Sequence, residues 1–337
     1  MIDLRSDTVT KPTPAMLEAM FSAEVGDDVF DSDPTVNALQ EKVADLFGMD
    51  AALYCPSGTM TNQIGLRLLT DPQDEVICHK YSHIYLYEGG GLSYNSMLSP
   101  KLLEGDRGLI TAEQVAASIN PDDIHFPRTR LVSLENTMNK GGGSCYDLEE
   151  IRKIKQVCDE SGLMLHLDGA RLFNAIVASG STPKDFGALF DTISVCFSKG
   201  LGAPVGSVLI SSKDRIKQAK RIRKVFGGGM RQAGYLAAAC VHALDHHVDR
   251  LAEDHERARI IGQEAEQLDF VREVYQVDTN IVILALQGRS EQQVLAALQE
   301  KEVLAVPFGP GLVRFVTHLD FTDDHLDQLI SVLKTLT

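Results

Sequence analysis

Short apolar runs alternate with amphipathic stretches through residue 246, and few folds accept that rhythm. The runs are AALYC (51–55), EVICH (75–79), RLVSLEN (130–136), LMLHLD (163–168), TISVCF (192–197) and VGSVLIS (205–211). Helical patterns fall between or after them, at 33–47, 58–69, 147–161, 212–225 and 231–246. Asp33 is placed as an N-cap, with Pro34 at the first helical position. Runs apolar on both faces, alternating with helices, predict an α/β fold with a mostly parallel sheet covered on each side. Near residue 247 the pattern changes to a long charged helix and strands with one polar face. Three parts are expected: an N-terminal arm (1–13), a large domain (14–247) and a small α+β domain (248–337). The arm holds few core residues and is expected to lie outside the core.

Ligands of open α/β sheets bind beyond the carboxyl ends of the strands. Two groups sit there. Asp168-Gly169-Ala170-Arg171 follows LMLHL, and Ser198-Lys199-Gly200 follows TISVCF. A carboxylate and a lysine at neighbouring strand ends suit pyridoxal phosphate. The amine forms a Schiff base, and the carboxylate keeps the pyridine nitrogen protonated, so that the ring accepts electrons. Pro56-Ser57-Gly58-Thr59 lies between a strand and a helix, where the free N–H groups of Gly58 and Thr59 suit a phosphate. His83, after EVICH, is placed to pack on the ring. His125 lies in a polar loop before a strand.

Composition narrows the classes further. Asp and Glu outnumber Lys and Arg 47 to 32, a formal charge of −15. That balance argues against nucleic-acid binding and against docking on anionic membranes. The start, MIDLRSDTVTKPTP, lacks the apolar run of a signal peptide, and no run is long enough for a membrane span. The six cysteines form no CxxC pair and are expected to be reduced, buried thiols of a cytoplasmic protein. Within the acidic whole, residues 213–231 form a basic island of net charge +7, expected to surround a cofactor phosphate and a substrate carboxylate.

Other patterns lead elsewhere or nowhere. His242 and His246 have a metal-ligand spacing but no evident third ligand. Asp27, Asp28, Asp31 and Asp33 lack the glycine and terminal glutamate of a calcium loop. No dinucleotide fingerprint, P-loop or nucleophile elbow stands in its required context. Three glycine runs, 89–91, 141–143 and 227–229, suit long turns and close approach to a ligand or another subunit equally well.

Seven motifs in order carry a family resemblance: LRSDTVTKP (4–12), GDDVFDSDPTVN (26–37), PSGTMTN (56–62), LENTMN (134–139), HLDGAR (166–171), SKGLGAPVGS (198–207) and GGGMRQAG (227–234). With LVRFVTHLD (312–320) they span nearly the whole chain and resemble the low-specificity L-threonine aldolases. The resemblance implies an aspartate-aminotransferase-like (fold type I) pyridoxal-phosphate enzyme that cleaves L-threonine or L-allo-threonine to glycine and acetaldehyde. It also implies a homotetramer, a dimer of dimers with sites at the dimer interface. Lys199 matches the Schiff-base lysine, Asp168 the partner of the ring nitrogen, and Gly58 and Thr59 the phosphate binders. Arg171 lies beside ring and substrate carboxylate, and Ser6 and Arg314 match substrate-carboxylate contacts. His83 matches the stacking histidine and a candidate for the β-hydroxyl proton, and His125 a histidine near that hydroxyl. Lys224 and Arg231 match groups reaching the cofactor region from a neighbouring subunit. Met138 stands where many relatives have His, and Tyr87 where some have Phe, which bears on side-chain preference. Another lyase of this fold, acting by β-elimination on serine- or cysteine-like amino acids, is the alternative.

Overall fold

The computed structural model describes residues 1–336. Its strands in chain order are β1 (Ile2–Asp3), β2 (Ala51–Cys55), β3 (Glu75–His79), β4 (Ser99–Leu103), β5 (Thr129–Glu135), β6 (Met164–Gly169), β7 (Thr192–Cys196), β8 (Ser207–Ser211), β9 (Val271–Val274), β10 (Ile281–Leu286), β11 (Val303–Leu304), β12 (Val306–Gly309) and β13 (Leu312–Val316). The main sheet has the order β2-β8-β7-β6-β5-β3-β4. All its pairs are parallel except those of β8, which runs against both neighbours. The α/β fold is therefore the mostly parallel, two-sided one expected.

Its strands are buried because both faces are covered. The helix Pro34–Phe47 turns Val36, Leu39, Val43 and Phe47 inward; Asp33 caps it by accepting from the Val36 N–H, and Gly48 ends it at φ 64°. Gly58–Leu69 and Lys213–Val225 pack over β2, β7 and β8. Because β3, β5, β6 and β7 run the same way, His79, Glu135, Gly169 and Cys196 end at one edge of the sheet. Glu135 pairs in register with Asp168, and Asp168 with Ser194. Edge strand β4 (SPKLL) was absent from the sequence expectation. It carries a proline and mostly exposed side chains, which an edge position tolerates and a buried-strand pattern misses.

A second sheet, β12-β13-β10-β9, is antiparallel throughout. Helices Leu251–Ala265, Glu291–Glu300 and Asp323–Thr335 bury apolar faces in its core. The N-terminal segment corrects the sequence reading. Ile2 and Leu4 belong to this second core, and β1 pairs in parallel with β11. The Leu4 N–H donates to the Leu304 carbonyl at 2.8 Å, and the Val316 N–H donates to the Leu4 carbonyl at 2.9 Å. Burial of each side chain contributes about 1.5–3 kcal/mol, enough for two residues to pin a segment that composition makes look loose. Among the described residues no helix is long and apolar enough to cross a membrane.

Candidate active site

The carboxyl edge of the main sheet gathers most of the residues singled out above. Asp168 is the penultimate residue of β6 and is buried; its Oδ1 accepts from the Ala170 N–H at 3.1 Å and its Oδ2 from Asn62 Nδ2 at 2.9 Å. Lys199 follows β7, and among the described residues its ammonium has no hydrogen bond or ion pair. Gly58 and Thr59 begin the helix Gly58–Leu69, whose N-cap, Ser57, accepts from the Met60 N–H. A Cβ at Gly58 would lie 2.5 Å from Cys196 Sγ, so only glycine lets this helix start so close to β7.

A cluster of charged groups is built from three separated segments. Arg171, just past β6, donates from Nε and Nη2 to the two oxygens of buried Asp7, both at 2.7 Å. Burial alone would raise the Asp7 carboxyl, but Arg171 outweighs it and holds the group at about 2. Arg314, in the middle of β13, donates to Asn139 Oδ1 at 3.0 Å and to the Arg5 carbonyl at 2.9 Å, which brings Ser6 beside it. Its Nε is buried without a partner. Burial and the neighbouring Arg171 push Arg314 down to about 10. Buried Arg171 and half-buried Arg314 thus both lie in the field of Asp7, and Glu135 also acts on Arg171.

His83 opens the short helix His83–Leu86. It lines a cavity of about 330 Å³ with Tyr87, Asn139, Lys140, Phe308 and Arg314. Its Nδ1 lies 2.9 Å from buried Glu88 Oε1, and among the described residues its Nε2 has no hydrogen-bond partner. Glu88 also accepts from Asn62 Nδ2 at 2.8 Å and from Gln63 Nε2 at 2.5 Å. Burial tends to lower the imidazole, but Glu88, Asp168 and Glu135 together hold it above its ordinary value. Ligating atoms of His83, Glu88 and Asp168 lie within 4.8 Å of one another. Each of the four carboxylate oxygens already accepts an N–H group, which ties the trio into one hydrogen-bond network.

Glu135, at the end of β5, accepts the His83 N–H at 2.7 Å and the Asn139 N–H at 2.9 Å. Burial and the adjacent Asp168 raise its carboxyl. It ties the histidine of the cavity to the residue that steadies Arg314.

Three expectations can be set against the structure. His125 precedes β5, at the opposite end of the sheet, with its side chain exposed and bonded to Asp123. Seven residues of strand at ~3.3 Å each separate the two ends, so within the chain His125 is not near the other site residues. Half of the eight bases of the basic island are paired: Arg231 with Asp27, Arg223 with Asp28, Lys220 with Asp31 and Arg215 with Asp191. The acidic cluster 27–33 supplies three of these partners, and Lys224 stays unpaired among the described residues. Met138 is fully buried and packs over Gly108, outside the cavity.

The model of the beta-eliminating lyase family matches residues 3–288. The chain belongs to that family. It is 43% identical over 330 residues to a low-specificity L-threonine aldolase of Escherichia coli O157:H7, covering 98% of this chain and 97% of that one. It is 39% identical over 343 residues to a probable low-specificity L-threonine aldolase 2 of Arabidopsis thaliana, covering 99% and 97%. A threonine aldolase structure from Leishmania major superposes with a TM-score of 0.87 at 22% identity, covering 100% of this chain and 99% of that one, a likeness of fold.

Beta-eliminating lyases of this kind work with pyridoxal phosphate, and the residues present fit it. A lysine amine without a partner, a buried carboxylate at the next strand end, a helix N-terminus that admits no Cβ, and an unpaired guanidinium Nε are the groups such a cofactor and an amino-acid substrate require. Sequence reasoning assigned no role to Asp7, Asn62, Glu88, Glu135 or Asn139. Asp7, Asn62, Glu135 and Asn139 stand inside the quoted motifs, which was the only signal. Glu88 adjoins the glycine run 89–91.

Proposed function

We propose that this chain is a carbon–carbon lyase that cleaves L-threonine and L-allo-threonine to glycine and acetaldehyde with pyridoxal phosphate. The observation that carries this reading is the Arg314 guanidinium with an unpartnered Nε, close to Arg171, an acid–lysine pair and a histidine with a free Nε2. An α-carboxylate suits the open donor of Arg314, and the β-carbon substituent then enters the cavity between His83 and Phe308. The likeness to low-specificity L-threonine aldolases supports the same reading.

Each residue has a task. Ser6, Arg171 and Arg314 hold the carboxylate. Gly58 and Thr59 hold the cofactor phosphate, Lys199 anchors the cofactor, and Asp168 keeps its ring nitrogen protonated. When bound, pyridoxal phosphate supplies the electron sink for the pair released at Cα. His83 Nε2 takes the β-hydroxyl proton; the Cα–Cβ bond breaks, the hydroxyl oxygen becomes the carbonyl of acetaldehyde, and a proton delivered to Cα completes glycine. General-base help of this kind is worth about 10²–10⁴-fold.

The same reading makes the chain a cytoplasmic homotetramer, a dimer of dimers, with a large cofactor domain (14–247) and a small domain (248–337). Lys224 and Arg231 then reach the cofactor region of a neighbouring copy, and His125 meets a substrate only from another copy. In this reading the enzyme serves threonine breakdown and glycine formation. The test is to incubate the holoenzyme with L-threonine and with L-allo-threonine, with Lys199→Ala as control. Acetaldehyde and glycine in equal amounts are expected. Pyruvate or 2-oxobutyrate without acetaldehyde would instead indicate β-elimination and overturn the reading.

A further inference from the structure

We propose that Glu88 is a positioning residue. It holds His83 with the proton on Nδ1, so that Nε2 is the nitrogen presented to the substrate. The inference rests on the threonine-cleaving reading and adds to it a residue and a tautomer.

The geometry of the network dictates the proton positions. A buried carboxylate without a proton only accepts hydrogen bonds. Glu88 accepts from Asn62 at one oxygen and from Gln63 at the other, and His83 Nδ1 meets the first of these at 2.9 Å. Nδ1 must therefore donate, which leaves Nε2 as the acceptor in the neutral ring. Asn62 is itself oriented from behind. Its Oδ1 lies 3.2 Å from His166 Nε2, and His166 Nδ1 lies 2.8 Å from the Thr192 hydroxyl. Burial pushes His166 down to about 4, so this ring is neutral and carries one proton, donated to Asn62 Oδ1. The amide NH₂ of Asn62 then points its two protons at Asp168 and Glu88. One asparagine ties the carboxylate assigned to the cofactor ring to the carboxylate assigned to the histidine.

The glycine run beside Glu88 has a structural reason in the same network. Gly89 and Gly90 adopt φ of 61° and 76°, turning the chain sharply after Glu88. A Cβ on Gly91 would lie 2.5 Å from Gln63 Cδ. Glycine there leaves room for the amide that holds Glu88 Oε2. The turn that composition leaves open to two readings thus serves to seat a carboxylate under the imidazole.

The groups facing His83 are Glu88 and the Tyr87 ring from its own segment, Asp168 from β6, Glu135 from β5 and, across the cavity, the cations Lys140 and Arg314. All three acids favour the imidazolium. Removing the Glu88 charge lowers the imidazole pKa and moves the acid limb of the rate profile to lower pH, while a base of reduced strength turns over more slowly.

The experiment uses the holoenzyme and three variants, Glu88→Gln, Glu88→Asp and Glu88→Ala. Cleavage of L-threonine is followed across pH, and cofactor affinity is measured by fluorescence. For Glu88→Gln the expected result is a fall in kcat of about 10–100-fold and an acid limb lower by about one unit. KM and cofactor affinity stay within about threefold, a change worth under 1 kcal/mol. Glu88→Asp keeps the acid limb of the parent. Glu88→Ala regains turnover with added propionate and not with propionamide. An unchanged kcat, or a fall with no movement of the limb and no rescue, would overturn the proposal by reducing Glu88 to a structural brace. Should these variants not fold, nitrogen-15 solid-state spectra of histidine-labelled parent holoenzyme, minus those of His83→Gln, report the ring directly. A protonated Nδ1 supports the proposal and a protonated Nε2 overturns it. Parent enzyme that releases no acetaldehyde from threonine defeats the function itself, a result distinct from any of these.

Discussion

The two ends of the main sheet each carry a histidine with a carboxylate at its Nδ1. At the carboxyl end His83 meets Glu88 at 2.9 Å; at the amino end His125 meets Asp123 at 2.7 Å. The contacts are nearly the same, and the surroundings are not. The side chains of the first pair are 30% and 0% exposed, those of the second 80% and 47%. Glu88 is held by two amides, and Asp168 and Glu135 add their field to His83. Asp123 bonds only its own loop, through the His125 N–H and ring. An exposed pair is screened by water and contributes little, whereas a buried one is fixed and strongly felt. Position in the sheet, more than the pair itself, makes a histidine useful.

The strongest challenge to this contrast is His83→Ala, expected to lower kcat on L-threonine by about 10²–10⁴-fold. A loss of only a few-fold, measured as acetaldehyde release, would assign the base to water or to the cofactor phosphate. Next is Asp7→Asn, which leaves Arg171 buried and uncompensated at the same end. Removing one partner of such a pair costs about 3–5 kcal/mol, visible as a lower urea midpoint. The parent should show the matching pH dependence. Folding lowers the Asp7 carboxyl from 3.8 to about 2, so its contribution is complete above the unfolded value and is lost as pH falls through the folded one. A stability flat over that window would remove Asp7 from the account.

Arg314→Ala is expected to raise KM for threonine by about 10–100-fold, since a hydrogen bond to a charged group contributes about 1.5–3 kcal/mol. A fall in kcat with KM unchanged would place Arg314 away from the carboxylate. The smallest effect is expected at the amino end. His125→Ala should cost under about tenfold, less than the range given for a general base. A larger loss than His83→Ala shows would reverse the contrast and make the loop before β5 the catalytic one in the assembled enzyme.

Much of this arrangement is legible in the chain. Asp168 and Lys199 are found because strand ends are where ligands bind, and each follows an apolar run too short for anything but a buried strand. Gly58 is found because Ser-Gly-Thr opens a helix. Glu88 is not found, because a glutamate beside three glycines carries the signal of a solvated turn. Arg314 shows no local signal either. It sits in LVRFV as any polar residue of a half-buried strand would, and only the resemblance of its motif marks it. The arm misleads for the opposite reason: two apolar residues, Ile2 and Leu4, are too few for a pattern yet enough for a parallel pairing with β11.

By itself the sequence determined the layered α/β architecture, the strand ends that face a ligand, and the lysine and aspartate placed there. These follow from periodicity, which is local. Tertiary structure alone decided which distant charges meet: Asp7 with Arg171, Arg223 with Asp28, and Asn62 between Asp168 and Glu88. Pairing energies depend on burial and on distances of a few ångströms between segments as far apart in the chain as Asp28 and Arg223, and no local pattern encodes those.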